Sequence, residues 1–151
     1  MEITYTDGTN RDFICLCREL DDHFNRLAGG EENRKEYVQH NLLSDIHDVF
    51  VIYESNTPVG CAAFKYYSEG IAEVKRVYIK PGFRGRGLSK MLMDTVEQKA
   101  REEGYKTLIL ETGKSFDEAV GLYSGIGYTV IDNYGQYRCM PESVCMQKDI
   151  S

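Results

Sequence analysis

The sequence predicts a single α/β (α+β) domain in which helices cover the faces of a mixed central β-sheet. Three observations predict it. The length of 151 residues suits one hydrophobic core, and the balance of 42% hydrophobic and 28% charged residues is that of an ordinary folded protein. Stretches with apolar residues at helical spacing are interspersed with shorter apolar stretches of strand length. Their order along the chain is β-α-α-β-β-β-α-β-α-β-β.

The amino-terminal third predicts one strand and two helices. Residues 3–6 form the strand, and residues 12–28 form a helix that the glycine pair at 29 and 30 ends. A second, more polar helix is predicted for residues 31–43. The apolar residues that recur at helical spacing in the first helix are Phe13, Leu16, Leu20, Phe24 and Leu27.

Three strands follow. Residues 48–54 and 58–67 are joined by the turn residues 55–57, so these two strands are neighbours. A third strand is predicted for residues 72–80, and Pro81-Gly82 ends it.

The clearest helix is predicted for residues 88–103, because its apolar and charged residues lie on opposite faces and Gly104 follows it. Residues 106–111 are an apolar strand, which indicates an interior position in the sheet. The apolar face of the helix is formed by Leu88, Met91, Leu92, Thr95, Val96 and Ala100.

The remaining elements are short. Ser115 and Glu118 have the spacing of a capping box, which opens a helix that continues through Tyr123. Residues 128–133 and 143–148 are predicted as the closing strands.

Net charge and composition exclude several classes of function. The formal net charge of −6 argues against a nucleic-acid partner or an acidic membrane surface. No apolar run approaches the roughly 20 residues that span a bilayer, and the start MEITYTDG lacks the features of a signal peptide. A cytoplasmic protein with reduced thiols and no metal site is therefore expected. Its cysteines, whose spacing fits no zinc pattern, are Cys15, Cys17, Cys61, Cys139 and Cys145.

The stretch PGFRGRGLSK, residues 81–90, carries the strongest functional pattern in the chain. It lies between a predicted strand and the amino terminus of a predicted helix, where unpaired backbone N–H groups attract anions. Gly85 and Gly87 allow the backbone to approach a ligand closely, while Arg84 and Arg86 add positive charge. This pattern indicates a pyrophosphate site. The alternative interpretation is a plain strand-to-helix turn with solvated basic residues.

Two familiar phosphate-binding patterns do not fit this stretch. Gly82 and Gly87 have the glycine spacing of a Walker A motif, but Leu88 stands where the phosphate-binding lysine is required. A dinucleotide fingerprint that begins at Gly85 requires a third glycine where Lys90 stands. Neither a P-loop nor a Rossmann site is therefore predicted.

The sequence resembles the GNAT family of N-acetyltransferases, in its bacterial small-molecule branch. RGRGLS, residues 84–89, is similar to the family's R/Q-x-x-G-x-G/A motif, although Ser89 replaces the usual glycine or alanine. AEVKRVYI at residues 72–79, LETG at 110–113 and EAVGLY at 118–123 resemble the family's fourth strand, fifth strand and following helix. The resemblance implies one N-acetyltransferase domain over residues 1–151, with a splayed pair of parallel strands in its sheet.

The resemblance also implies the reaction and its residues. Acetyl-CoA is expected as the acyl donor. Its acetyl group is expected to pass directly to an amine, without a metal. Glu73 is the candidate base and Tyr123 the candidate acid beside the thioester sulfur. The alternatives are a structural strand carboxylate and a core tyrosine. The residues implied to bind the cofactor are Val77, Tyr78, Ile79, Arg84, Gly85, Arg86, Gly87, Leu88, Ser89 and Lys90.

The acceptor is the least determined part of the prediction. A small-molecule amine, such as an amino acid or a similar compound, is expected; a protein lysine or amino terminus and a non-catalytic CoA-binding module are the alternatives. Phe116 stands where many family members carry a polar residue near the pantetheine arm. A homodimer is a further expectation. Candidate acceptor-site residues are His23, Asn25, Arg34, His40, Asn41, Tyr134 and Tyr137, and Arg76 is a candidate for holding a substrate carboxylate.

Overall fold

The computed structural model describes residues 1–28, 43, 46–114 and 117–151. Three parts of the predictions lie outside these residues. They are the predicted helix at 31–43 except for residue 43, the glycine pair at 29 and 30, and the residues Ser115 and Phe116. The elements, in chain order, are β1 (Glu2–Thr6), α1 (Arg11–Ala28), β2 (Asp48–Glu54), β3 (Thr57–Ser68), β4 (Ile71–Ile79), α2 (Leu88–Glu102), β5 (Thr107–Gly113), α3 (Asp117–Gly125), β6 (Thr129–Ile131), a 3-10 helix (Gly135–Tyr137) and β7 (Ser143–Asp149).

The strands pair in the order β1-β2-β3-β4-β5-β7-β6. Both parallel and antiparallel pairs occur, which confirms the predicted mixed sheet. The chain forms two compact units, each built from two segments. Unit one consists of Met1–Lys65 and Lys75–Val96; unit two consists of Tyr66–Val74 and Glu97–Ser151.

Unit one has an antiparallel sheet covered by α1. β1 pairs with β2 from Glu2↔Tyr53 to Thr6↔Val49, and β2 pairs with β3 across their tight turn. The α1 helix begins where the Asn10 side chain accepts a hydrogen bond from the Phe13 amide at 3.0 Å, an N-cap worth about 1 kcal/mol. The predicted apolar face of α1 supplies Phe13, Leu16 and Leu20 to the core, where they join Val49, Val51, Cys61 and Ala63.

Unit two is organised around β5. The first three residues of β4 pair with β5 in parallel, from Ile71↔Thr107 to Glu73↔Ile109. β7 pairs with β5 on its other side, antiparallel, and β6 then pairs with β7. β5 therefore lies in the interior of the sheet, as its apolar sequence predicts. The parallel pairing covers a third of β4, which is compatible with the predicted splay.

Three local predictions differ from the structure. Met91 is 41% exposed, whereas Met93 is buried, so the buried stripe of α2 is rotated from the predicted face. The helical pattern predicts that Glu97, with the other charged residues of α2, lies on the polar face. It is instead 6% exposed, because Lys148 contacts its Oε1 at 2.6 Å and neutralises it. The 3-10 helix at Gly135–Tyr137 lacks an apolar period and was not predicted. None of the helices in the described part of the chain has the length and apolarity to cross a membrane.

Candidate active site

The glycine-rich turn at residues 81–90 has a backbone that only glycine adopts easily. Gly82, Gly85 and Gly87 have φ angles of 92°, 79° and 76°, all in the left-handed region. A Cβ placed on any of the three would meet nothing within 4 Å. Backbone conformation, rather than crowding, therefore requires glycine here. The open space beside the backbone is what the approach of a phosphate group needs.

The turn ends at the amino terminus of α2. The first hydrogen bond of the helix runs from the Met91 amide to the Gly87 carbonyl at 3.1 Å. The amides of the first helical turn, including those of Leu88, Ser89 and Lys90, have no acceptor within their own helix and carry its positive dipole end. Leu88 is 4% exposed and anchors the helix, while Lys90 is exposed. The geometry fits an anion bound at these amides.

Both arginines of the turn already have protein contacts. The Nε of Arg84 donates to the Ile79 carbonyl at 2.9 Å, and its guanidinium lies 5.8 Å from the centroid of the Tyr78 ring. Arg86 donates to the Glu54 carboxylate and lies 5.1 Å from the Phe83 ring. Both side chains are exposed. The contacts restrain two cations at the turn.

The β4 strand has an irregular residue directly before the predicted pantetheine-binding segment. Arg76 has a φ of 59°, unusual for a residue other than glycine and costing of order 1–3 kcal/mol. Its side chain is buried and donates to Asp21 at 2.7 Å, and its carbonyl accepts from the Cys61 thiol at 3.3 Å. These contacts hold the irregular backbone in place. The ion pair with Asp21 also disfavours the interpretation of Arg76 as a substrate carboxylate ligand.

Glu73, the candidate base, lies in the unit-two part of β4 and is 3% exposed. The hydroxyl of Tyr134 donates to its Oε2 at 2.6 Å. Burial raises the pKa of Tyr134, and the neighbouring Glu73 carboxylate raises it further. The phenol therefore keeps its proton and acts as a donor to the carboxylate. Sequence reasoning had marked Tyr134 only as a candidate acceptor-site residue.

Tyr134 is part of a cluster of three tyrosines in unit two. Its ring meets those of Tyr67 and Tyr137 edge-on, at centroid distances of 5.2 and 5.5 Å. Tyr137 is 3% exposed, and burial, followed by the charges of Glu111 and Glu73, raises its pKa. The tyrosine cluster (Tyr67, Tyr134 and Tyr137) thus brings two acceptor-site candidates beside the candidate base.

Tyr123, the candidate acid, lies on α3 and is 7% exposed. Burial raises its pKa, so the phenol is protonated at neutral pH, as a proton donor must be. Its ring packs edge-on against Tyr128 at 5.7 Å. The Tyr128 hydroxyl is buried and has no hydrogen-bond partner among the described residues.

The structure places the predicted site residues in two groups. Residues 77–79 and 84–90 lie in unit one, whereas Glu73 and Tyr123 lie in unit two. Among the acceptor-site candidates, His23 and Asn25 lie on α1, and Tyr134 and Tyr137 beside Glu73. Arg34, His40 and Asn41 fall outside the described residues, as does Phe116.

Comparison with known proteins identifies the family. Residues 16–128 match the family model described as "Acetyltransferase (GNAT) family". The chain belongs to the GNAT acetyltransferase family. The predicted family and enzyme class are therefore confirmed, and with them acetyl-CoA, the acyl donor expected for this family.

Two individual proteins are similar to this chain over nearly its whole length. An IAA acetyltransferase from Azospirillum brasilense is 33% identical over 138 residues, which cover 91% of this chain and 90% of the relative. A solved protein assigned as an acyl-CoA N-acyltransferase from Klebsiella pneumoniae is 32% identical and has a TM-score of 0.83, with 99% and 97% of the two chains covered. The fold also matches a GNAT acetyltransferase from Elizabethkingia anophelis with acetyl-CoA bound, at a TM-score of 0.64, 20% identity and coverage of 76% and 82%.

Proposed function

We propose that this GNAT enzyme transfers the acetyl group of acetyl-CoA to the amine of a small molecule, with Glu73 as the base and Tyr123 as the acid. The observation that carries the proposal is the carboxylate of Glu73, which is 3% exposed and hydrogen-bonded by Tyr134. A buried carboxylate within the sheet is costly unless partners hold it, and Tyr134 is such a partner.

The donor is held by the glycine-rich turn and by the main chain of β4. The amides from Gly85 to Lys90, at the positive end of α2, suit the pyrophosphate, and the guanidinium groups of Arg84 and Arg86 add charge. The main-chain groups of Val77, Tyr78 and Ile79 bind the pantetheine arm. The open space around the turn glycines supports this assignment.

Acetyl-CoA supplies an activated thioester carbonyl, and the residues of the chain manage the protons. Glu73 accepts a proton from the acceptor's ammonium group, which frees the nitrogen lone pair to form the new C–N bond. The amide of Val77 or Ile79 donates to the carbonyl oxygen as negative charge develops there. As the C–S bond breaks, Tyr123 gives its proton to the sulfur and the attacking nitrogen loses its second proton to solvent. Solvent then takes the proton held by Glu73 and restores the proton of Tyr123. The products are the acetamide, CoA thiol and one released proton.

The burial of the base favours a small acceptor over a protein chain. Glu73 is 3% exposed, as is Tyr137, whose pKa the Glu73 charge helps to raise, so an amine that reaches Glu73 must be enclosed by protein. A small molecule can be enclosed in this way, whereas a peptide that lies across an open groove meets exposed groups. An amino acid or a similar amine is accordingly the proposed class.

The test is a comparison of acceptor panels with purified protein and acetyl-CoA. CoA release is followed with small amines, amino acids and peptides, and each product is identified by its mass. Acetylation of small amines, lost in Glu73→Gln, is the expected outcome. Faster acetylation of peptides would overturn the acceptor assignment. Tight acetyl-CoA binding without transfer to any amine would instead identify a non-catalytic CoA-binding module.

A further inference from the structure

A hydroxyl–carboxylate contact joins two distant parts of the chain in unit two. Tyr134 Oη lies 2.6 Å from Glu73 Oε2, although the residues are 61 positions apart. This is a short distance for a hydrogen bond and is typical of a hydroxyl that donates to an ionised carboxylate. Such a bond stabilises the charged form of the acceptor and restricts its rotation.

The ring that carries the hydroxyl is itself fixed. Tyr67 and Tyr137 contact it edge-on from two directions. The next residue, Gly135, has a φ of 51° and leads into the 3-10 helix, and a Cβ at this position would lie 3.1 Å from the Tyr67 hydroxyl. Backbone and side-chain contacts together therefore specify the orientation of the Tyr134 ring.

We propose that Tyr134 is a positioning residue of this acetyltransferase: its hydroxyl orients the Glu73 carboxylate by a hydrogen bond to the charged form, the form that accepts the proton of the incoming amine. This inference rests on the proposed role of Glu73. Tyr134 takes no proton and touches no reacting atom. Its raised pKa, caused by burial and by Glu73, suits it to this task because the phenol stays a donor throughout the working range of pH.

Two of the groups that share this environment keep their protons throughout the acid range. Tyr137 and Cys145 both sense the Glu73 charge, but burial raises the pKa of each, that of Cys145 to about 11. Glu111 is the other carboxylate that acts on these two residues, and Ser143 donates to its Oε2 at 2.7 Å. Because the Tyr134 hydroxyl donates to Glu73, a shift of the acid limb in Tyr134→Phe is assigned to Glu73 rather than to Glu111.

The test is Tyr134→Phe, which removes the hydroxyl and keeps the ring. We expect kcat/KM for the amine to fall about tenfold, as for loss of a hydrogen bond to a charged group, with KM for acetyl-CoA unchanged. The acid limb of the kcat/KM profile should move to higher pH, because the ionised carboxylate has lost a donor. Tyr67→Phe, which removes a hydroxyl from the same cluster, is the matched control. Its kcat/KM profile should have an acid limb at the wild-type pH.

An acid limb in Tyr134→Phe that superposes on the wild-type limb would overturn the proposal. If Tyr134→Phe does not fold, 3-fluorotyrosine incorporated at position 134 provides the second test. Its more acidic phenol is a stronger donor, so the limb should move to lower pH, and an unmoved limb would be decisive against the proposal. Glu73→Gln distinguishes failure of the proposed base from failure of the positioning role. If turnover survives Glu73→Gln, Glu73 is not the base, and this result does not depend on Tyr134.

Discussion

Arg86 donates from one terminal nitrogen to both carboxylate oxygens of Glu54, at 3.0 and 3.1 Å. The turn that is expected to bind a pyrophosphate thus has a carboxylate on one of its two arginines. Exposed ion pairs of this kind contribute about 0–1 kcal/mol, so an incoming phosphate can replace Glu54 at little cost. The pair acts as a weak internal competitor for the cofactor.

Removal of Glu54 should therefore strengthen cofactor binding. In Glu54→Gln we expect the Kd for CoA to fall about two- to fivefold, the counterpart of an exposed pair worth up to about 1 kcal/mol. Calorimetric titration at two salt concentrations measures this, and the gain should shrink at high salt. Asp22→Asn removes an exposed charge from the same unit and serves as the control. Equal gains in both variants would mean that net charge, rather than the release of Arg86, is responsible.

The backbone of the turn provides a second prediction. Gly85→Ala places a side chain at a φ of 79°, which costs about 1–2 kcal/mol and should distort the phosphate-binding amides. We expect a similar loss of stability together with at least tenfold weaker CoA binding. Gly70 is the matched control, because it has a φ of 76° in the β3–β4 turn and equally open surroundings.

Gly70→Ala should lower the free energy of unfolding by a similar amount but leave the affinity for CoA unchanged. Urea denaturation and calorimetric titration of both variants make the comparison. Loss of CoA binding in both would indicate a general effect of destabilisation, and the turn would lose its assigned role.

The candidate acid can be tested by deletion of its hydroxyl. Tyr123→Phe should lower kcat about a hundredfold, within the range for general acids, and leave the Kd for CoA unchanged. Because burial raises the pKa of Tyr123 above the ordinary value near 10, its ionisation should cause no loss of wild-type activity below about pH 10. Steady-state kinetics across pH measure both effects.

Tyr128→Phe is the control for Tyr123→Phe, since the two rings are in contact and both tyrosines are buried. It removes a buried hydroxyl that has no hydrogen-bond partner among the described residues, so it should keep kcat and leave stability unchanged or slightly raised. A Tyr123→Phe enzyme that turns over as fast as Tyr128→Phe would remove Tyr123 from the mechanism.

The buried tyrosines make the fold sensitive to alkali. Burial raises the pKa of Tyr123, Tyr128, Tyr134 and Tyr137, so the folded state holds these protons more tightly than the unfolded chain does. This contribution to stability is complete below the unfolded value near 10 and decreases as the pH rises above it. We expect the free energy of unfolding to decrease gently above about pH 8.5, where the buried thiols of Cys61 and Cys145 would ionise in the unfolded chain, and to fall steeply between about 10 and 11.

Urea denaturation at each pH measures the stability, and absorbance at 295 nm reports phenolate formation. The slope of stability against pH should be smaller in Tyr128→Phe, which loses one of the four groups. A free energy of unfolding that stays constant up to pH 11 would contradict the assignment.

Local sequence patterns predicted most of the secondary structure. β2 was predicted with its observed limits, and α2 begins at the predicted Leu88 and ends one residue earlier than predicted. The apolar period specified the face of α1 that supplies Phe13, Leu16 and Leu20 to the core. Such patterns succeed because backbone hydrogen bonds and side-chain periodicity within an element depend on residues a few positions apart.

The same reasoning failed where a distant residue decides the environment. Glu97 is buried because Lys148 neutralises it, and a helical wheel drawn for α2 alone contains no such partner. Met93 is buried instead of the predicted Met91 for the same reason. The elements that pack against α2 determine which of its faces is buried.

The sequence by itself determined the family, through its motifs, and it predicted the kind of site: a glycine-rich basic turn at a helix start, with a carboxylate and a tyrosine as candidate base and acid. The tertiary structure alone decided how those groups are held. The contacts of Glu73 with Tyr134 and of Arg86 with Glu54 bridge 61 and 32 positions, and the left-handed backbone of Arg76 is held by Asp21 and Cys61. Charge and hydrogen bonding act through space, so distance along the chain carries no information about them, and only folding places the partners together.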